Sequence, residues 1–108
     1  MNPNKLRLTD DDGNAHISGA INRDDPSELL VGEVRSKVKN KGFGSRLLKS
    51  LENLAKSRGV TKSRVVLGKF EDTDVQALRR FYENNGYDLN DENDLVVATK
   101  KKLWFIYQ

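Results

Sequence analysis

The chain has 108 residues, 36% of them hydrophobic and 32% charged, with a formal net charge of +3 and no cysteine. This supports a single domain over residues 1–108 with one modest core, and it excludes a long disordered chain, disulfides, thiolate metal sites and a cysteine nucleophile. No apolar run approaches the ~20 residues of a membrane span and no signal-peptide core opens the chain, so a cytoplasmic protein is expected.

Lys5–Thr9 (KLRLT) alternates and reads as a strand, and the DDDGN that follows reads as a hairpin turn in which Asp-Gly tolerates positive φ. Residues 16–22 (HISGAIN) predict a second strand. Asp24, Asp25, Pro26 and Ser27 break the chain, and residues 29–38 (LLVGEVRSKV) predict a third strand. These three form an antiparallel meander. Leu47, Leu48, Leu51, Leu54 and Ala55 then share one face of a helix, with Gly59 placed to end it behind Lys56 and Arg58. Residues 64–70 (RVVLGKF) read as a buried strand, so strand, helix and strand imply a right-handed parallel crossover. Thr73 to Gln76 matches a capping box that starts a second helix, with Val75, Leu78, Phe81 and Tyr82 on one face and Gly86 at its end. The tail over 95–107 (LVVATKKKLWFIY) is β-rich, either one long strand or a hairpin turning at Lys100–Lys102.

Between the meander and the first helix lies Lys39-Asn40-Lys41-Gly42-Phe43-Gly44-Ser45. First-turn N–H groups have no intrahelical partner, the dipole makes that end positive, and glycine lets an anion approach the backbone. Alone, G-x-G fits an ordinary turn better than an anion grip. It is neither a dinucleotide fingerprint nor a P-loop, lacking the third glycine and the Gly-Lys-Ser/Thr. Arg35, Lys37, Lys39, Lys41, Arg46 and Lys49 crowd around it, while acidic residues sit at 10–12, 24–28 and 88–94. This clustering suits a small bound anion better than a nucleic-acid backbone.

From residue 29 to 89 the chain resembles the GNAT superfamily of N-acetyltransferases. The resemblance rests on Lys39-Asn-Lys-Gly42-Phe-Gly44 against the family's Gln/Arg-x-x-Gly-x-Gly/Ala, then on SRLLKSLENLAKSRGV, RVVLGKF and ALRRFYENNGYDL in the same order. It implies an α+β fold with a mixed sheet, a meander followed by β-α-β-α-β, as in acyl-CoA N-acyltransferases. The family's usual N-terminal strand and two helices have no counterpart here. The acceptor groove is therefore expected to be open, or completed by a second subunit or partner.

The resemblance also implies acetyl-CoA as co-substrate, no metal, and transfer to a primary amine by direct attack. Main-chain groups of Gly32, Glu33 and Val34 would pair with the pantetheine arm. The loop Lys39, Asn40, Lys41, Gly42, Phe43, Gly44 and Ser45 would hold the pyrophosphate, with lysine replacing the planar guanidinium at position 39. Tyr82 falls where many relatives keep a tyrosine that protonates the departing thiolate, although a surface-packed tyrosine fits the same spacing. An asparagine that contacts the cofactor in many relatives is replaced by Asp74 or Val75. A glutamate that serves some relatives as base is matched by Gly68, leaving Glu33 or Glu28 as substitutes that read equally as surface charge. His16, the only histidine, reads as structural or exposed. Asp10, Asp12 and Asn14 imitate a calcium loop, but the glycine position and the missing glutamate favour a polar hairpin tip. The apolar LWFIY at 103–107 needs cover, and a homodimer sealed by that strand would supply it. The alternatives are a degenerate family member that binds CoA or a protein partner without catalysis and, less well supported, a small nucleic-acid-binding domain.

Overall fold

The computed structural model describes residues 4–37 and 42–103. Its elements run β1 (Lys5–Thr9), β2 (Ala15–Ile21), β3 (Glu28–Ser36), α1 (Phe43–Ser57), β4 (Lys62–Lys69), α2 (Thr73–Asn84), β5 (Asp88–Glu92) and β6 (Leu95–Lys100). They build a mixed six-stranded sheet in the order β1-β2-β3-β4-β6-β5, parallel only between β3 and β4. The meander, the crossover and both helices stand as expected from sequence, with strand ends shifted by one or two residues.

Three expectations change. β5 was not anticipated: its DLNDE is acidic and mostly exposed, which reads as loop. It pairs with β6 across a two-residue turn in which Asn93 and Asp94 both take positive φ (48° and 69°), the twist a tight hairpin requires. The tail therefore does not run on as one strand: β6 ends at Lys100, and the Leu103 N–H donates to the Thr61 carbonyl at 2.9 Å. The rest of the LWFIY segment, and the dimer proposed through it, lies outside the described residues. The capping box at Thr73 is not formed either, since the N-cap is Asp72 and it makes no side-chain capping bond.

Both helices lie on one face of the sheet. α1 packs over β1–β3 and α2 over β4–β6, and Tyr87 joins them by donating to Glu52 of α1. Ile17, Leu29, Leu48, Leu51 and Val60 fill the core between α1 and the sheet and are 0–1% exposed. Both helices end in the same motif. Beyond α1, Gly59 and Val60 donate to Lys56 and Ala55; beyond α2, Gly86 and Tyr87 donate to Glu83 and Tyr82. The second of these sets the position of Tyr82 on the last turn of its helix.

Candidate active site

β3 and β4 pair only through Glu28–Leu30 and Lys62–Arg64, then diverge. The divergence follows a bulge. Ile17 opposes Val34 and Gly19 opposes Val31, so Ser18 alone faces both Gly32 and Glu33. An extra residue bends a strand and breaks its ladder, and beyond this point β3 leaves β4. The resulting cleft, about 670 Å³, is walled by Gly32 to Ser36 on one side and Val65 to Leu67 on the other, with Asp74, Ala77, Leu78 and Tyr82 of α2 at its back.

The start of α1 packs against the β3 wall through Gly44, next to Val34. Gly42 caps that helix with φ 76° and ψ 8°, a left-handed conformation costly for other residues; no side chain caps the end and the first turn holds no acidic residue. Instead, the Arg46 guanidinium lies 4.9 Å from the Phe43 ring centroid, placing a cation at the positive end of the dipole. A Cβ at Gly44 would lie 3.2 Å from Phe81 Cε1 and 3.4 Å from Val34 Cγ1, so glycine here also permits α1 to close onto α2 and the cleft wall. Asn85 Nδ2 donates to the Phe81 carbonyl at 2.7 Å and to Ser45 Oγ at 3.2 Å. The carbonyl fixes which end of the amide is the donor.

Gly32, Glu33, Val34, Asp74 and Tyr82 thus line one cleft, and Gly44 lies against its Val34; Gly42, Phe43 and Ser45 belong to the same helix start, while Lys39, Asn40 and Lys41 lie outside the described residues. Tyr82 is 2% exposed, not surface-packed, and its ring meets Phe81 and Tyr87 edge-on at 5.0 and 5.1 Å. Burial, and secondarily the Glu52 charge, raise its phenol well above the ordinary range, so it remains protonated. Glu33 is half-exposed: His16 Nε2 donates to it at 2.8 Å and Arg35 Nε lies 3.2 Å away. The His16 hydrogen bond, followed by the Arg35 charge, holds its carboxyl below the usual range and makes it a poor proton acceptor. His16, read from sequence as structural or exposed, has a partner in Glu33; the 17 residues separating them hide it from local reading. Gly68 has φ 137° and a Cβ there would lie 3.0 Å from Val75 Cγ2, so this backbone leaves no room for the glutamate of relatives. Among the described residues no group of three metal-ligating side chains occurs, and no helix is long and apolar enough to cross a membrane.

The fold and this cleft define an acyl-CoA N-acyltransferase architecture. The acetyltransferase (GNAT) family model matches residues 13–87, and the chain belongs to that family. No curated protein matches the sequence significantly. Among solved structures, the PaiA N-acetyltransferase of Thermoplasma acidophilum in complex with coenzyme A aligns with TM-score 0.75 and 19% identity, covering 91% of this chain and 61% of that one. A GNAT-family protein of Desulfovibrio desulfuricans aligns with TM-score 0.80 at 13% identity, over 94% of this chain and 70% of that one. The anti-CRISPR protein AcrVA5 aligns with TM-score 0.67 and 18% identity, over 86% of this chain and 96% of that one.

Proposed function

We propose that the protein transfers the acetyl group of acetyl-CoA to a primary amine. The observation that carries this is the splayed β3–β4 cleft beside a helix start that has no side-chain cap and no acid in its first turn but an arginine next to it. That end favours an anion, and the family match together with the coenzyme A complex of the Thermoplasma relative supports a pyrophosphate there. The pantetheine arm would pair with main-chain groups of Gly32 to Val34, freed from β4 by the bulge. Lys39, Asn40 and Lys41 complete the loop in this reading, and Asp74 borders the cofactor.

The amine nitrogen attacks the thioester carbonyl; an N–C bond forms, the C–S bond breaks, and the electron pair leaves on sulfur. Tyr82 donates a hydrogen bond and then its proton to that sulfur, and the phenolate takes a proton back from solvent. Its buried phenol is a reluctant acid, so most of its effect is to stabilise developing charge, and the amine sheds its own proton to water. Glu33, engaged by His16 and Arg35, orders the cleft wall rather than taking a proton. With no strong base among the described residues of the cleft, the amine must arrive neutral, so turnover should rise with pH until the acceptor is deprotonated.

A second reading, binding without turnover, draws on two observations: Gly68 excludes the carboxylate of relatives and the Glu33 carboxyl is held low. Calorimetric titration with CoA, followed by thiol release against a panel of amines, separates the two. We expect micromolar CoA binding and amine-dependent thiol release. Tyr82→Phe should lower kcat on the order of 10²-fold while leaving CoA affinity within about twofold. Binding without release in wild type selects the second reading, and absence of CoA binding removes acetyl transfer and leaves only a protein partner.

A further inference from the structure

The sheet face turned away from both helices is uncovered among the described residues, and its charges are unevenly compensated. Lys62 pairs with Asp25 at 2.8 Å, Arg64 with Glu92 at 3.3 Å, and Arg35 with Glu33 at 3.2 Å. Lys5 and Arg7 differ. Both are exposed on β1, on the side opposite buried Leu6, and neither has an acidic partner among the described residues. They stand over a shallow groove of about 470 Å³, whose floor includes Ser18, Ala20, Leu30 and Gly32. The groove is mainly apolar between its two cations. It meets the acyl-transfer cleft at Gly32, which lines both. It also borders the outermost strand of the sheet, whose far edge pairs with no other strand among the described residues.

We propose that this groove docks the acceptor as an acidic stretch of polypeptide. Aspartate or glutamate side chains meet Lys5 and Arg7, small apolar side chains lie over Ala20 and Leu30, and the reacting amine reaches the bulge at Gly32. The identification of the docked chain as an acceptor rests on the acetyl-transfer reading above; the docking itself does not. Charge complementarity selects the partner: Lys62, Arg64 and Arg35 have carboxylates, whereas Lys5 and Arg7 have none among the described residues, so an incoming anionic chain compensates them. A groove open along a strand edge suits an extended chain better than an enclosed small molecule.

The test is fluorescence anisotropy with two labelled lysine-containing peptides, one flanked by Asp and Glu and one by Ser and Gln, and with a single-stranded RNA. The acidic peptide should bind about tenfold tighter than the neutral one, as two surface ion pairs allow, with the preference shrinking as salt rises. Lys5→Glu/Arg7→Glu should erase the preference; both side chains are exposed, and unchanged circular dichroism would establish that the fold persists. Equal affinity for the two peptides, a preference that survives the double substitution, or tighter binding of RNA than of the acidic peptide would overturn the proposal. CoA titration on the same samples keeps the two readings apart. The double variant should bind CoA as wild type does. Absence of CoA binding alongside a retained, Lys5/Arg7-dependent peptide preference would sink acetyl transfer and leave the docking surface standing.

Discussion

Ser45 is the position at which anion binding and helix stability part company. It is the third residue of α1, in a first turn with no acid, and its Oγ already accepts from Asn85. Ser45→Asp keeps an acceptor for Asn85 and places a negative charge where the dipole favours it, so stability should hold or rise by about 0.3–1 kcal/mol. The same charge repels a pyrophosphate, and CoA affinity should fall at least about tenfold. Urea unfolding and CoA titration on one preparation read both effects. A variant that is no less stable and binds CoA as before would show that the helix start holds no anion. Gly44→Glu is a poorer probe, because the Phe81 ring 3.2 Å from a Cβ there would mix packing loss with charge repulsion.

Between elements, the strongest polar tie is buried. The Tyr87 hydroxyl lies 2.7 Å from both Glu52 Oε2 and Ser63 Oγ, and Lys100 Nζ donates to Glu52 at 3.1 and 3.3 Å, which links α1, β4, β6 and the turn after α2. Glu52 and Ser63 are 7% and 2% exposed, so each hydrogen bond there replaces one that water cannot supply. Tyr87→Phe removes the shared hydroxyl and should cost about 1–3 kcal/mol in urea unfolding. Lys100→Met, which strands the buried carboxylate, should cost more, about 3 kcal/mol. The reverse order would mean that Lys100 is a solvated neighbour rather than the counter-ion of Glu52. Sequence periodicity found α1 and α2 because their apolar faces repeat locally. It could not find this network, whose members lie 24 to 48 residues apart. β5 escaped for a related reason: an exposed edge strand of acidic residues has no apolar alternation to detect.

At the scale of the whole molecule, the family and the strand-helix-strand crossover were legible because resemblance compresses long-range geometry into short motifs. The bulge at Gly32–Glu33 and the unpaired cations on the open face were not, since both depend on which residues oppose one another across strands. The helix-to-helix seam makes stability depend on pH from the alkaline side, as the lowered Glu33 and Asp25 carboxyls do from the acid side. Tyr82 and Tyr87 are both raised above the ordinary phenol value, first by burial and then by the Glu52 charge. A group whose folded pKa is raised contributes stability that is complete below its unfolded value, about 10 for tyrosine, and is lost as pH rises toward the folded value. Lys62, raised by its hydrogen bond to Asp25, acts in the same direction from the surface. Between about pH 6, above the carboxylate range, and about pH 9.5 the unfolding midpoint should therefore stay level, and it should fall steadily beyond that. The sequence holds three tyrosines, so in a Tyr107→Phe background the phenolate absorbance reports Tyr82 and Tyr87 alone. We expect that absorbance to appear together with the loss of helical circular dichroism, as one cooperative step. Phenolate appearing near pH 10 in a chain that is still folded would mean that water reaches this seam and that Tyr82 is not the buried donor proposed above.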